Sequence, residues 1–193
     1  MKIENIKVYD LEESIKASKY PMTTDTDKCN SEFTKTVLGL GNSNKGEGHD
    51  QFLTGIRVNF DVTFSNKAWV EAERYRFLEF VSSQSTMHRI TKLDIRQQCN
   101  KYVWDSTIKN LEQKVKEYNE LENKSTEFAK EMYLEILYNI PSGFELTARL
   151  TTNYRALKTI ISQRKNHRLP EWREFCDICL KELPMLKELC FNS

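Results

Sequence analysis

Between residues 56 and 65 every second position is apolar. Ile56, Val58, Phe60, Val62 and Phe64 alternate with Arg57, Asn59, Asp61, Thr63 and Ser65. A period of two sends successive side chains to opposite faces, so this stretch predicts a strand with one buried and one polar face. Residues 144 to 151 repeat the pattern, with Phe144, Leu146, Ala148 and Leu150 set against Glu145, Thr147, Arg149 and Thr151. Two polar strand faces are then available to line a cleft.

Elsewhere the spacing is helical. "NKAWVEAERYRFLEF", residues 66 to 80, predicts an aromatic helix, and Ile108, Leu111, Val115, Tyr118 and Leu121 mark one face of a long charged helix. Ala129, Met132, Tyr133, Ile136, Leu137 and Ile140 mark another helix, with "LENKST" as the turn between the two. Residues 10 to 20 predict a short helix behind an Asp10 cap, ended by Pro21. "TTDTDKCNSEF" and the glycine-rich "LGLGNSNKGEGHD", residues 38 to 50, predict loops, the second able to bend sharply or approach a ligand closely. A length of 193 residues suits a single domain with a sizeable core.

Charge narrows the function. With 29 Lys and Arg against 28 Asp and Glu, the chain lacks the broad positive field of a protein that tracks nucleic acid. A small anionic ligand needs only a few local arginines. No stretch approaches the roughly 20 apolar residues of a membrane span, and the polar start "MKIENIKVYDLEESIK" has no signal-peptide core, so a cytoplasmic protein without membrane contact is expected. The five cysteines are expected to be reduced. Cys176 and Cys179 form a C-x-x-C without a second pair or a well-spaced histidine, and lie on a stripe with Trp172, Phe175 and Leu183. That predicts core packing, and no metal site.

Two polar clusters remain. "RYRFLEFVSSQST", residues 74 to 86, places Arg74 and Arg76 ahead of a run of hydroxyl and amide groups. In "TTNYRALKTIISQRKNHRLPEWREF", Asn153 and Arg164 are three helical turns apart, sharing a face about 16 Å long. Each has a plainer alternative: a solvated Arg-x-Arg edge, a helix-capping Asn153, and an Arg164 paired with an acidic neighbour.

In this order the segments resemble the flavin-dependent thymidylate synthases, which methylate dUMP with FAD, a reduced nicotinamide and methylenetetrahydrofolate. "ESIKASKYPM" is similar to the family's first helix, "GEGHDQFL" to its Gly-His loop, "RYRFLEFVSSQST" to its Arg-His-Arg and Gln-Ser signature, and "NYRALKTIISQRKNHRLPEWREF" to its C-terminal Asn-x-Arg helix. The resemblance implies an α+β, thymidylate-synthase-complementing-protein-like fold, an antiparallel sheet flanked by helices. It implies flavin contacts from His49, Arg74, Arg76, Asn153 and Arg155. It implies nucleotide contacts from Gln84, Ser85, Arg89 and Arg164, with Arg164 polarising the pyrimidine and Ser85 beside the ring. FAD is the implied cofactor, NADPH and methylenetetrahydrofolate the co-substrates, and a pyrimidine deoxynucleotide the substrate. A homotetramer is implied too, with helices of the 105 to 140 region at its interfaces. The chain departs from the pattern at Tyr75, where the family has histidine, and at Gly55, Met87 and Leu137. A nucleotide-binding protein that keeps the fold without the chemistry is the alternative.

Overall fold

The computed structural model describes residues 1–44 and 46–192. In chain order its elements are β1 (Lys2–Tyr9), α1 (Leu11–Ala17), α2 (Lys35–Gly41), β2 (Arg57–Ser65), α3 (Asn66–Ala72), β3 (Glu79–Ser83), α4 (Thr86–Arg89), α5 (Ile95–Gln98), α6 (Asp105–Glu120), α7 (Glu127–Tyr138), β4 (Glu145–Asn153), α8 (Tyr154–Arg164), α9 (Pro170–Glu182) and α10 (Leu186–Phe191). The four strands form one sheet in the order β1-β2-β4-β3, with each neighbouring pair antiparallel. The fold is α+β, an antiparallel sheet flanked by helices, as the resemblance implied.

The two patterned strands are the centre of the sheet. β2 and β4 pair without interruption from Arg57 opposite Asn153 to Ser65 opposite Glu145. The shared register puts Val58, Phe60, Val62, Phe64, Ala148 and Leu150 together on one buried face. Against it pack Trp172 and Phe175 of α9, with ring centroids of Phe64 and Trp172 5.0 Å apart and of Phe60 and Phe175 5.9 Å apart. Such tilted and edge-on contacts suit aromatic quadrupoles. Cys176 and Cys179 continue this stripe into the core. Burial pushes the Cys176 thiol up to about 11 and Cys179 well above its ordinary value, so both stay protonated and serve as apolar filling.

A second apolar cluster lies beyond the far end of β4, where Phe144 joins Ile90, Ile95, Ile108, Leu111, Val115 and Ile136. The apolar stripe of α6 is covered within the chain by α5, α7 and Phe144. The apolar residues that α7 leaves exposed are Phe128, Leu134 and Tyr138. No helix among the described residues is long and apolar enough to cross a membrane.

Three local expectations are corrected. The aromatic helix predicted to residue 80 stops at Ala72, and Glu79–Ser83 becomes the edge strand β3. The open side of β4 offers this segment a ladder of backbone partners, and the turn that takes it there is closed by hydrogen bonds from the Tyr75 N–H to the Ala72 carbonyl and from the Leu78 N–H to the Tyr75 carbonyl, each 3.0 Å. Part of the glycine-rich stretch is helical: Thr34 caps α2, whose last residue, Gly41, lies against the backbone of Leu189 in α10. The first helix ends at Ala17, before Pro21, and Asp10 sits at its start without a side-chain cap bond. β1 had no sequence prediction at all. It is held at an irregularity between Glu4 and Lys7, where Asn5 has φ 52° and its side-chain amide donates to Asp61. Arg149 completes this corner by donating to the Asn5 carbonyl at 2.9 Å and to Asp61 at 3.1 Å.

Gly41→Ala should lower stability by about 2–3 kcal/mol, because its Cβ would lie 2.3 Å from the Leu189 carbonyl oxygen, a backbone atom that cannot swing aside. Gly39→Ala, which meets open space in the same helix, should be neutral or stabilising; urea unfolding of both variants checks this. The Asn5 amide, then Arg149, hold the Asp61 carboxyl below its ordinary value. Its contribution is therefore complete above the unfolded pKa of about 4 and is lost as pH falls through the lower folded value. The stability gap between the wild type and Asp61→Asn should be constant above about pH 5 and narrow as pH falls through about 4 and below. A gap that does not narrow there would show that the charge of Asp61 plays no part.

Candidate functional site

The sheet end at Arg57 and Asn153 opens into a cleft with a volume of about 980 Å³. Its position follows from how β4 becomes α8. Asn153 keeps extended geometry and its Oδ1 accepts from the Ala156 N–H at 2.9 Å, which starts the helix. The next residue locks the direction. The Tyr154 N–H donates to the Ile56 carbonyl at 3.1 Å and its buried hydroxyl to the Pro184 carbonyl at 2.6 Å, while burial raises the phenol above its ordinary pKa. Helix α8 then presents Arg155, Thr159, Ser162 and Gln163 to the cleft. Asn42, Ser43, Asn44, Gly46, Asp50, Gln51 and Thr54 line the facing wall, and Arg57, Thr151, Glu79 and the exposed ring of Phe77 complete it.

One carboxylate organises the charges. Asp50 is 6% exposed and accepts from Arg155 Nε at 2.9 Å and from Lys158 Nζ at 3.0 Å. Lys158 spends its other donors on the carbonyls of Gly41 and Ser43, both at 2.8 Å, so its ammonium ties the end of α2 to α8. Arg155 is different: Nη1 donates to Gln51 Oε1 at 2.6 Å, while Nη2 has no protein partner among the described residues. Arg57 and Glu79 likewise have no ion-pair partner among the described residues. Two hydroxyls on the cleft wall, Ser43 Oγ and Thr152 Oγ1, are buried without a hydrogen-bond partner among the described residues. Buried polar groups are rarely left without a partner. Among the described residues no group of three or more His, Cys, Asp or Glu side chains converges as a metal site would require.

The sequence-predicted residues fall into separate places. Asn153 and Arg155 line the cleft, and His49 begins the short 3₁₀ turn that carries Asp50 and Gln51. Arg74 and Arg76 are exposed on the turn before Phe77, with the Arg76 guanidinium 5.5 Å from the Phe77 ring. Gln84 and Ser85 lie at the other end of β3. There Gln84 Oε1 accepts from the Thr147 N–H at 2.9 Å, Ser85 precedes α4, and Arg89 is exposed at its end. From Thr147 to Thr151 at the cleft is four strand residues, about 13 Å.

Arg164 does not share the cleft with Asn153. It donates through Nε to the Tyr75 hydroxyl at 2.7 Å and through Nη1 to Glu71 at 2.8 Å, meets His167 at 2.8 Å, and lies 4.9 Å from the Trp172 ring centroid. Tyr75 also donates to Gln163 at 2.9 Å, so the residue standing where the resembled family has histidine braces α8 against the turn that follows α3. Asp50, Gln51, Arg57, Phe77, Thr152 and Lys158 were missed. Two of them left a trace: Asp50 follows His49 directly, and Lys158 lies one turn from Arg155. Their opposite charges come together only in the fold.

The fold is an antiparallel α+β sheet with a cleft at the β4–α8 junction, and comparison with known proteins makes it particular at the level of fold. The structure of the flavin-dependent thymidylate synthase ThyX from Helicobacter pylori complexed with FAD and dUMP superposes with a TM-score of 0.71, at 12% identity, covering 100% of this chain and 98% of that chain. A second structure of that enzyme with FAD and dUMP gives 0.73 at 13% identity with the same coverage. The UMP/dUMP methylase PolB from Streptomyces cacaoi, bound with 5-Br dUMP, gives 0.60 at 15% identity, covering 93% of this chain and 89% of that chain. No protein-family model and no curated protein matches the sequence. The fold is thus the one that the order of motifs implied.

Because Arg164 and Glu71 are only 14% and 17% exposed, Arg164→Met should leave the carboxylate with only His167 at 3.3 Å and Lys67 at 3.9 Å and lower stability by about 2 kcal/mol. Arg164→Lys should recover only part of this, since one ammonium cannot reach Tyr75, Glu71 and the Trp172 face together. Thermal and urea unfolding check the pair, and unchanged stability in Arg164→Met would remove the network from the list of stabilising contacts.

Proposed function

We propose that the chain binds a flavin nucleotide and a pyrimidine nucleotide and acts at C5 of the pyrimidine, in the manner of a flavin-dependent thymidylate synthase. The observation that carries this is the cleft at the β4–α8 junction, in a fold shared along the whole chain with enzymes solved with FAD and dUMP. Its volume lies at the large end of ligand clefts, about 300–1,000 Å³.

The residues present fit FAD. Arg57 and the free edge of Arg155 offer donors to a phosphate. Phe77 offers a ring face, the amide nitrogen of Asn153 is not used in its cap, and Ser43 and Thr152 hold unpartnered buried hydroxyls. A bound flavin supplies the hydride chemistry that the side chains lack, with NADPH and methylenetetrahydrofolate as co-substrates. What the chain itself contributes is position and charge: cations fix the anionic groups, the Phe77 ring limits the tilt of a planar group, and the sheet floor excludes water from one side. Arg74, Arg76 and His49 are assigned to the outer part of the flavin, and Gln84, Ser85 and Arg89 to the nucleotide. The separation of these groups within one chain fits a site completed by other subunits of a homotetramer.

One observation favours a nucleotide-binding protein without chemistry. Arg164, the expected pyrimidine-polarising residue, has Nε and Nη1 committed to Tyr75, Glu71 and His167. The two readings separate in one assay. Isotope release from C5-labelled dUMP, with FAD and a reductant and with or without methylenetetrahydrofolate, should be slow but measurable and should disappear in Arg155→Met. Flavin and nucleotide binding with no release would establish the non-catalytic protein, and absence of binding would remove both.

A further inference from the structure

Asp50 has the geometry of a residue that acts through another. It is buried, contributes no free donor or acceptor edge comparable to that of Arg155, and its two oxygens are taken by Arg155 Nε and Lys158 Nζ. A guanidinium has five N–H donors in one plane. When Asp50 takes Nε–H and Gln51 takes one hydrogen of Nη1, the plane is fixed at two points. The donors left over are those of Nη2 and the second hydrogen of Nη1; one Nη2 hydrogen lies on the Nε edge beside Asp50, and the other points away from it, free of any protein partner among the described residues.

Lys158 makes this anchor firm. Its three donors are used by Asp50 and the carbonyls of Gly41 and Ser43, so the carboxylate is held from the rear by a cation with nothing left for a ligand. Arg155 is thus the helix α8 cation that faces the cleft with donors to spare. A long side chain loses rotamer freedom on binding unless that freedom is already lost. Here Asp50 and Gln51 have removed it beforehand.

We infer that Asp50 is a positioning residue: it aims the free edge of Arg155 at a phosphate or diphosphate group in the cleft, and so makes the cleft prefer phosphorylated ligands to their unphosphorylated parents. This deepens the flavin-nucleotide reading above and rests on it for the identity of the ligand. It does not rest on it for the chemistry of the anion. Removing the Asp50 charge by itself would strengthen anion binding, because a negative group leaves the cleft wall. Positioning makes the opposite demand, so the direction of the effect decides between them.

The test measures affinities of FMN and riboflavin by fluorescence quenching, and of inorganic pyrophosphate by calorimetry, for the wild type, Asp50→Asn, Gln51→Ala and Arg155→Met. The ratio of FMN to riboflavin affinity should fall roughly tenfold in Asp50→Asn, with riboflavin itself little changed, and by roughly two- to threefold in Gln51→Ala. Adding Asp50→Asn to Arg155→Met should cause no further fall, since Asp50 acts through that arginine. Gln51 is exposed, so its variant keeps the test open if Asp50→Asn folds poorly. An unchanged or increased FMN preference in the Asp50 and Gln51 variants overturns the proposal, as does an equal loss for FMN and riboflavin. If the wild type binds neither flavin, the flavin reading falls. Pyrophosphate then decides for Asp50: binding that weakens in both variants supports the positioning role, and binding that is absent or unaffected refutes it.

Discussion

The pairing of β2 with β4 is the constraint on which the remaining structure depends. The two strands are far apart in sequence, and their ladder closes a large loop of chain that holds α3, β3 and α4 to α7. Because the register runs unbroken, one face is apolar along its length and receives α9, while the opposite face gathers Asp61, Arg149, Thr63 and Thr147 into polar pairs. A slip of one residue would exchange the faces and bury the charges. β1 and β3 add to the two sides of this pair.

The same register decides where a ligand is met. β4 ends at Asn153 opposite Arg57, and the helix that follows is set by hydrogen bonds at its first two residues. Its cleft-facing side carries donors beside a short buried ion cluster, and its far end carries Arg164 in a structural network with Glu71, Tyr75 and Trp172. Helix α8 therefore has two charged groups with different work. At the near end charge is partly free, and at the far end it is largely consumed in holding α3, α8 and α9 together.

Much of this organisation was legible beforehand. Strict alternation announced β2 and β4, helical spacing announced α6 to α9, and the C-x-x-C with its aromatic neighbours announced a packed stripe. The order of several short motifs implied the fold. Of the candidate site, Asn153 and Arg155 are on the cleft wall and His49 is beside it, whereas Gln84, Ser85, Arg89 and Arg164 lie elsewhere in the chain. Helical spacing alone had put Asn153 and Arg164 on one face, but Asn153 is the cap in extended geometry and does not follow the helix's angular progression.

What the sequence by itself determined is whatever depends on neighbours in the chain: the periods of two and of 3.6, the caps at Thr34, Thr126 and Asn153, and the buried face of each long element. What only the tertiary structure decided is whatever needs a distant partner. β1 and β3 are mixed in polarity and largely exposed, and they are strands because β2 and β4 offer unpaired backbone groups at the sheet's sides. Gly41 is required by a backbone atom of Leu189. Asp50 is an ordinary loop aspartate until α8 brings two cations within 3.0 Å of it. A local pattern reports the free energy of burying one face, but an ion cluster depends on the position of groups a hundred residues apart, which no local period encodes.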